Sequence, residues 1–223
     1  MQSQTRLTLE AYERWAPTYA PDPHNPLMRA EQSAMLALWP EVLGLRALDL
    51  ACGSGRYVKW LTQAGAAEVT AVDFSWAMLK RVSGCRRVQA SMTSLPFAPA
   101  VFDVVVSGLA VGHASSIQRW MGEVARVLDR GGVLLYSDFH PAAARAGLPR
   151  SFKDERGEQC VVPHNSYDVS VQKAAALEAG LQCEAVTELR VGIEITESFP
   201  GSESFYRQWH GLPLVLVVRA RKP

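Results

Sequence analysis

The chain has 223 residues, of which 48% are hydrophobic, and this length predicts a single α/β domain with a sizeable core. The formal net charge is only +1, which argues against a nucleic-acid-binding surface, and no apolar run reaches the roughly 18 residues needed to cross a bilayer. The polar start of the chain lacks the core of a signal peptide and the four cysteines form no CxxC pair, so we expect free thiols in the cytoplasm.

The first predicted elements are two helices. Residues 8–16 form a short helix, and Asn25 and Pro26 are the N-cap and first residue of a second helix over residues 27–39. Aromatic residues recur at near-helical spacing in the first of these helices. We therefore interpret residues 1–40 as a helical lid.

Strands and helices alternate through the middle of the chain. The predicted order is strand 45–50, helix 56–64, strand 68–73, helix 75–82, a short strand near 86–89, strand 102–107, a helix capped by Ser115 or Ser116 and closed by Gly131, and strand 133–138. This alternation predicts an α/β fold with a parallel, doubly wound sheet and right-handed crossovers.

The alternation is interrupted after His140 by two insertions. Residues 141–165 contain a predicted hairpin, and residues 192–213 are rich in aromatic side chains. A helix near 168–179 and a strand near 183–191 lie between the insertions, and a last strand over 214–220 follows them. The first insertion leaves the carboxyl end of a strand, where ligands bind in open α/β sheets, so we place the substrate side of the protein there.

The most informative stretch is a small-residue loop that follows the first strand. Gly53 and Gly55 remove side chains that would keep a ligand from the backbone, and they adopt positive φ at little cost. Asp49 lies within the strand, where it can accept hydrogen bonds from a ligand ammonium group or from loop amides. The loop therefore predicts a nucleotide-type ligand between a strand and a helix.

Two ligand classes compete for this loop. A dinucleotide fingerprint requires a third glycine where this chain has Val58, and Asp49 would repel a pyrophosphate. Asp73 ends the next strand, 18 residues beyond Gly55, and can take both hydroxyls of an adenosine ribose. The two acids and the missing glycine fit a cationic, phosphate-free ligand better than NAD.

Five segments stand in one order along the chain: LDLACGSG at 48–55, VDFSWAML at 72–79, LPF at 95–97, FDVVVS at 102–107 and RVLDRGG at 126–132. In order and spacing they resemble the class I S-adenosylmethionine-dependent methyltransferases of the small-molecule branch, which acts in ubiquinone, menaquinone and biotin pathways. The resemblance implies a Rossmann-like, doubly wound, mostly parallel seven-stranded sheet with an antiparallel last strand and helices on both faces. It also implies S-adenosyl-L-methionine as cofactor and S-adenosyl-L-homocysteine as product.

The resemblance further implies a set of cofactor contacts. In it, Asp49 and the glycine loop hold the methionine part, Asp73 binds the ribose, Tyr19 closes over the cofactor, and Arg29 pairs with its carboxylate. Ser91 stands where the family usually has an acid. The full implied set is Tyr19, Arg29, Asp49, Ala51, Cys52, Gly53, Ser54, Gly55, Asp73, Phe74, Met78, Ser91, Met92, Gly108 and Leu109. Ordinary core packing is the alternative for Met78, Met92 and Leu109, and an exposed, solvated arginine is the alternative for Arg29.

Four residues are candidates for activating the methyl acceptor. Methyl transfer is an in-line displacement to which the protein contributes mainly proximity and alignment, and a base is needed only if the acceptor arrives protonated. His113 follows the fourth core strand, His140 follows the fifth with Asp138 as its orienting partner, and His164 closes the first insertion. A structural role is the alternative for each histidine, and the pattern predicts no metal site.

The two insertions carry the candidate acceptor contacts. Arg145, Arg150, Phe152 and Arg156 would suit an anionic acceptor, whereas Phe199, Phe205, Tyr206, Trp209 and His210 would suit a flat one. Surface or interface roles are the alternative for both sets.

The predicted function is transfer of a methyl group from S-adenosylmethionine to an oxygen of a small molecule. The alternatives are transfer to carbon or nitrogen of a natural-product or heterocyclic intermediate, and a cofactor-binding homologue, a regulator or a cyclase, that methylates nothing. We expect a monomer or homodimer without nucleic-acid or membrane partners.

Overall fold

The computed structural model describes residues 2–193 and 202–223, and it contains a seven-stranded sheet and a small hairpin. The strands are β1 Arg46–Leu50, β2 Glu68–Asp73, β3 Arg86–Gln89, β4 Phe102–Ser107, β5 Leu128–Phe139, β6 Ser151–Lys153, β7 Gln159–Val161, β8 Gln182–Arg190 and β9 Pro213–Arg221. The sheet order is β3-β2-β1-β4-β5-β9-β8. The first five strands are parallel, and β9 is antiparallel to both of its neighbours. The predicted fold class is confirmed, including the antiparallel last strand.

Helices surround the sheet. They are α1 Gln2–Trp15, α2 Pro26–Ala37, α3 Arg56–Gln63, α4 Trp76–Leu79, α5 Ile117–Val127, α6 Pro141–Arg145, α7 Val169–Glu178 and α8 Ser202–Trp209. The start of α2 is the one expected from its sequence, because the Asn25 side chain accepts a hydrogen bond from the Met28 N–H at 2.9 Å. Within the described residues, no helix is both long and apolar enough to span a membrane.

Two apolar layers hold the helices against the sheet. In β1, Ala47 packs in one layer with Met35 and Leu61, whereas Leu48 packs in the other with Trp120. Alternate residues of a strand point to opposite faces, so a central strand buried on both faces is apolar almost throughout. This arrangement leaves the carboxyl ends of the parallel strands free to carry loops.

Three local predictions were wrong. The helix predicted to close at Gly131 ends at Val127, because fully buried Leu128 already pairs with Phe102 in the sheet. Gly131 instead lies inside β5 with φ +78°, near a register shift. The helix predicted over 75–82 is the four-residue α4, and α6 and α8 were not predicted.

The two insertions differ in their secondary structure. The hairpin of β6 and β7 forms as predicted, with Phe152 paired to Cys160. The second insertion continues into α8, and part of it, with the candidate Phe199, lies outside the described residues.

Candidate active site

A cavity of about 520 Å³ lies beyond the carboxyl ends of β1, β2 and β4, a position and a volume typical of ligand sites in open α/β sheets. Its walls come from α1, the start of α2, the glycine loop, the segment after β4, and the chain entering the hairpin. The residues that line it and that were predicted as cofactor contacts are Tyr19, Asp49, Ala51, Cys52, Gly53, Asp73, Phe74, Met92, Gly108 and Leu109.

The glycine loop is held by Asp73. The Asp73 carboxylate accepts hydrogen bonds from the backbone N–H of Gly53 at 2.8 Å and of Ser75 at 2.9 Å. Gly53 has φ +54° and Ala51 has φ +57°, a conformation that is strained for alanine and clusters at functional sites. The loop is therefore fixed with its backbone facing the cavity.

Asp49 is a buried carboxylate whose two oxygens differ in their hydrogen bonding. Its Oδ2 accepts from the Val58 N–H at 3.0 Å, whereas Oδ1 is buried without a hydrogen-bond partner in the described part of the chain. Burial raises the pKa of Asp49 to about 7 and that of Asp73 to about 6. An unsatisfied buried carboxylate oxygen is costly, and a cationic ligand would relieve that cost.

A buried ion pair behind the loop was not predicted. Arg56 lines the cavity and its Nη2 lies 2.7 Å from Oε2 of Glu31, which is fully buried on α2. The hydroxyls of Tyr57 and Ser137 both donate to the other oxygen of Glu31. The arginine directly after Gly55 was a usable signal, but Glu31 lies far back in the chain and nothing in its surroundings marks it.

The shape of this wall depends on Gly108. A Cβ atom at Gly108 would overlap the ring of buried Tyr57 and lie 3.2 Å from Nη2 of Arg56. Only glycine therefore lets the segment after β4 approach the buried ion pair this closely.

Helix α1 and the hairpin cover the cavity together. Tyr12, Trp15 and Tyr19 line it, and the Trp15 ring stacks on Phe152 of the hairpin at 4.5 Å between ring centres. On the same helix, Arg14 forms ion pairs with Asp154 and Glu158 of the hairpin turn. These contacts join the predicted lid to the first insertion.

His113 is the one candidate acid–base residue that lines the cavity. Its Nδ1 lies 3.2 Å from the carbonyl oxygen of Pro163, which can only accept, so Nδ1 carries the hydrogen. Nε2 therefore accepts from the Tyr12 hydroxyl at 2.8 Å. Burial, aided by the charge of Arg150, holds the pKa of His113 well below its usual value, so the ring is neutral near pH 7.

The other three acid–base candidates do not line the cavity. His140 caps α6, because its Nδ1 accepts from the Ala142 N–H at 3.1 Å, and Asp138 accepts from the Gly112 N–H at 3.1 Å. His164 packs edge-on against Phe139, a residue of the cavity wall. Asp138 and His140 therefore accept from backbone N–H groups, His140 as a local helix cap and Asp138 from a distant segment, and no hydrogen bond joins the two in the described residues.

Several predicted cofactor contacts also lie away from the cavity lining. Arg29 is exposed on α2, Met78 is fully buried in the core, and the exposed Ser91 hydroxyl hydrogen-bonds Thr93. Ser54 and Gly55 form the far side of the loop, where Gly55 caps α3 with φ +88°. The linear motif identified these positions, but the direction of each side chain depends on packing.

Of the predicted acceptor contacts that belong to the described residues, only Arg150 and Phe205 line the cavity. Arg145 is exposed and paired with Asp168, and Arg156 and His210 are exposed. Phe152 supports the wall from behind, through its stack on Trp15. Tyr206 and Trp209 pack against the core layer next to the cavity. In the described residues, no cluster of three or more His, Cys, Asp or Glu side chains is arranged to hold a metal ion.

Together, the open sheet and the glycine loop between two buried acids define a cofactor-binding α/β domain. The methyltransferase domain family matches residues 48–136. A malonyl-[acyl-carrier protein] O-methyltransferase from Pectobacterium atrosepticum is 31% identical over 170 residues, which are 73% of this chain and 66% of that protein. The corresponding protein from Enterobacter lignolyticus is 37% identical over 131 residues, 57% of this chain and 51% of that protein.

Solved structures agree with the sequence relatives. An S-adenosylmethionine-dependent methyltransferase from Mesorhizobium loti superposes with a TM-score of 0.71 at 27% identity, covering 86% of this chain and 97% of that one. The chain belongs to the class I S-adenosylmethionine-dependent methyltransferases. The predictions of family and cofactor are confirmed. The chain spans between about half and about two thirds of the length of the curated relatives described above.

Proposed function

We propose that this protein transfers the methyl group of S-adenosylmethionine to an oxygen atom of a small-molecule acceptor. The observation that carries the proposal is a single cavity with two chemically different ends. Asp49 and Asp73 lie on the neighbouring strands β1 and β2 at one end, whereas His113 and Arg150 lie beside the segment after β4 at the other. Tyr12 hydrogen-bonds His113 and Arg150, and its ring also contacts Phe74. A cavity with both ends has room for a methyl donor and an acceptor side by side.

The residues at the acidic end fit the cofactor. The free Oδ1 of Asp49 suits the ammonium group of its methionine part, and Asp73 suits the ribose hydroxyls. Arg56 also lines this end of the cavity. We therefore assign to Arg56 the contact with the cofactor carboxylate that was expected of Arg29. Tyr19 lies against Gly53, and an aromatic face next to a sulfonium is stabilising by cation–π attraction.

When bound, S-adenosylmethionine supplies a methyl group on a positively charged sulfur and leaves as a neutral sulfide. The chain's own part is to orient the two reactants and to exclude water with α1 and the hairpin. His113 can take a proton from an acceptor hydroxyl at Nε2 if the Tyr12 hydroxyl turns away, because that nitrogen carries no hydrogen. An acceptor that is already ionised needs no such step.

Oxygen is the favoured acceptor atom for two reasons. The sequence relatives include proteins named as O-methyltransferases. The proton acceptor at this end is the neutral His113, whose Nε2 carries no hydrogen and suits deprotonation of a hydroxyl. Carbon and nitrogen acceptors remain as outcomes of the test.

The test uses calorimetry and a labelled methyl group. We expect S-adenosylhomocysteine to bind the purified protein at micromolar levels and NADH not to bind. Incubation with methyl-labelled S-adenosylmethionine and a metabolite extract should then produce a labelled O-methyl compound, identified by NMR. A label on carbon or nitrogen would contradict the oxygen assignment, and failure of the cofactor to bind would contradict the whole proposal.

We also propose a cytoplasmic monomer or homodimer that binds neither membranes nor nucleic acids. The four free cysteines and the net charge of +1 support this setting. Light scattering of the purified protein at several concentrations measures the oligomeric state directly.

A further inference from the structure

Arg150 brings a positive charge to the cavity without a carboxylate attached to it. It stands directly before β6, and the Val162 N–H donates to its backbone oxygen at 2.8 Å, so the hairpin fixes its position. Its Nη2 donates to the carbonyl oxygen of Leu109 and, at 3.3 Å, to the hydroxyl of Tyr12. Both of these partners are neutral oxygens.

The other terminal nitrogen of the Arg150 guanidinium is unused. Nη1 is buried without a hydrogen-bond partner in the described part of the chain, and Arg150 lines the cavity. A buried charged N–H group without an acceptor costs free energy, and an anion within reach would recover that cost. The guanidinium also has the planar geometry that matches a carboxylate.

No residue of the described ranges cancels the charge of Arg150 through direct contact. Burial, aided by the charge of Arg150, lowers the pKa of both His113 and His164, so these rings are neutral near pH 7. Asp138 lies within electrostatic range and, with a pKa raised by burial to about 6, is mostly ionised at pH 7, but its Oδ1 accepts from the Gly112 N–H and it forms no ion pair with Arg150. The hairpin acids Asp154 and Glu158 are bound to Arg14.

The two ends of the cavity therefore carry opposite charge. The acidic end suits the cationic methyl donor, and it would repel an acceptor of negative charge if that acceptor lay there. The positive charge of Arg150 attracts such an acceptor. This division of charge also favours binding of the two reactants at different places in the cavity.

We propose that Arg150 binds a carboxylate group of the methyl acceptor, so that the substrates of this protein are small carboxylic acids in their ionised form. The inference rests on the proposed function, because it assigns the acceptor half of the same cavity. Nη1 of Arg150 donates a hydrogen bond to the carboxylate, and Nη2 also donates to it when its hydrogen bond to the Tyr12 hydroxyl is broken. The carbonyl oxygen of Leu109 holds the guanidinium in place. Leu109 is itself fixed, because its N–H donates to the Ser137 hydroxyl at 2.8 Å and its φ is +53°.

The test compares charged and neutral probes of the same shape. Acetate and benzoate, with acetamide and benzamide as their neutral counterparts, are titrated by NMR into the protein saturated with S-adenosylhomocysteine. We expect both carboxylates to bind and both amides to bind far more weakly. In Arg150→Gln the carboxylate affinity should fall at least about tenfold, the effect of losing a charge-assisted hydrogen bond. Arg145→Gln removes an exposed arginine from the same insertion and should leave the carboxylate affinity unchanged.

Each other outcome has a definite meaning. Equal binding of carboxylates and amides, or an unchanged carboxylate affinity in Arg150→Gln, would overturn the inference and leave the proposed function standing. Loss of S-adenosylhomocysteine binding in Arg150→Gln, with the melting temperature preserved, would assign Arg150 to the cofactor instead. If the wild-type protein fails to bind S-adenosylhomocysteine, it is the proposed function that fails.

Discussion

The two ends of the cavity are built in different ways. At the acidic end, Asp49 and Asp73 are fixed by backbone N–H groups of Val58, Gly53 and Ser75, all within one strand–helix–strand unit. At the other end, Tyr12 meets His113 and Arg150 through side chains that are 101 and 138 positions away in the chain. The comparison teaches that the residues we assign to the cofactor are positioned by a local part of the fold, whereas the residues we assign to the acceptor come together from distant segments.

The largest effect we expect comes from breaking the acidic end. Asp73→Ala should weaken the binding of S-adenosylhomocysteine by about 10- to 100-fold, because it removes a charge-assisted contact and frees the Gly53 amide from its acceptor. Calorimetry measures the affinity. Asp129→Ala is the matched control, because Asp129 pairs with Arg46 and that pair lies away from the cavity lining. Unchanged affinity in Asp73→Ala would contradict the ribose assignment.

The next effect concerns the wall between the two ends. Gly108→Ala places a methyl group into the ring of Tyr57 and against Arg56, and overpacking of this kind costs about 1–3 kcal/mol of unfolding free energy. Urea denaturation measures the loss. Gly122→Ala is the control on α5, where the added methyl group meets no heavy atom within 4 Å apart from its chain neighbours and the adjacent backbone of the same helix.

The control variant should move in the opposite direction. Alanine within a helix is about 0.5–1 kcal/mol more favourable than glycine, so Gly122→Ala should stabilise the protein. A loss of stability in both variants, or in neither, would show that the close approach of Gly108 to the ion pair does not hold in solution.

The smallest effect is a gradual pH dependence confined to the acidic end. The pKa of Asp49 is raised to about 7 and that of Asp73 to about 6, so both carboxyl groups lose charge as the pH falls through this range. Binding of cationic S-adenosylmethionine should therefore strengthen as the pH rises from 6 to 7, and Asp49→Asn should flatten the profile.

The stability of the ligand-free protein has the opposite sign. A carboxyl group whose pKa is raised on folding contributes stability that is fully present below its unfolded pKa and is lost as the pH rises through its folded pKa. Thermal unfolding of the wild type without ligand should thus occur at lower temperature as the pH rises towards 7, less so in Asp49→Asn. A rising melting temperature over this interval would contradict the burial of the two acids.

Elements with strong local signals were predicted well. Asn25 and Pro26 start α2, and strand β1 and the loop after it have the predicted bounds within a residue. The end of α5 was misplaced, because Gly131 has the positive φ of a helix stop but the strand pairing of Leu128 prevails. Helix propensity is a weak preference, and a neighbouring strand outweighs it.

The predicted site residues show the same difference between local sequence signals and long-range packing. Asp49, Asp73 and Gly53 follow from their neighbours in sequence, and all three line the cavity. His140 had an equally suggestive position at a strand end, yet it caps the helix that begins next to it. A linear pattern identifies which residues stand near an edge of the sheet, and packing decides which of them face the ligand.

The amino-acid sequence by itself determined the family, the sheet and the glycine loop that we assign to the cofactor, because each depends on residues close together in the chain. The tertiary structure alone decided that Glu31 neutralises Arg56 and that Tyr12, His113 and Arg150 form a second end of the cavity. The physical reason is that these charges and hydrogen bonds are satisfied between distant segments, and only the folded chain brings those segments into contact.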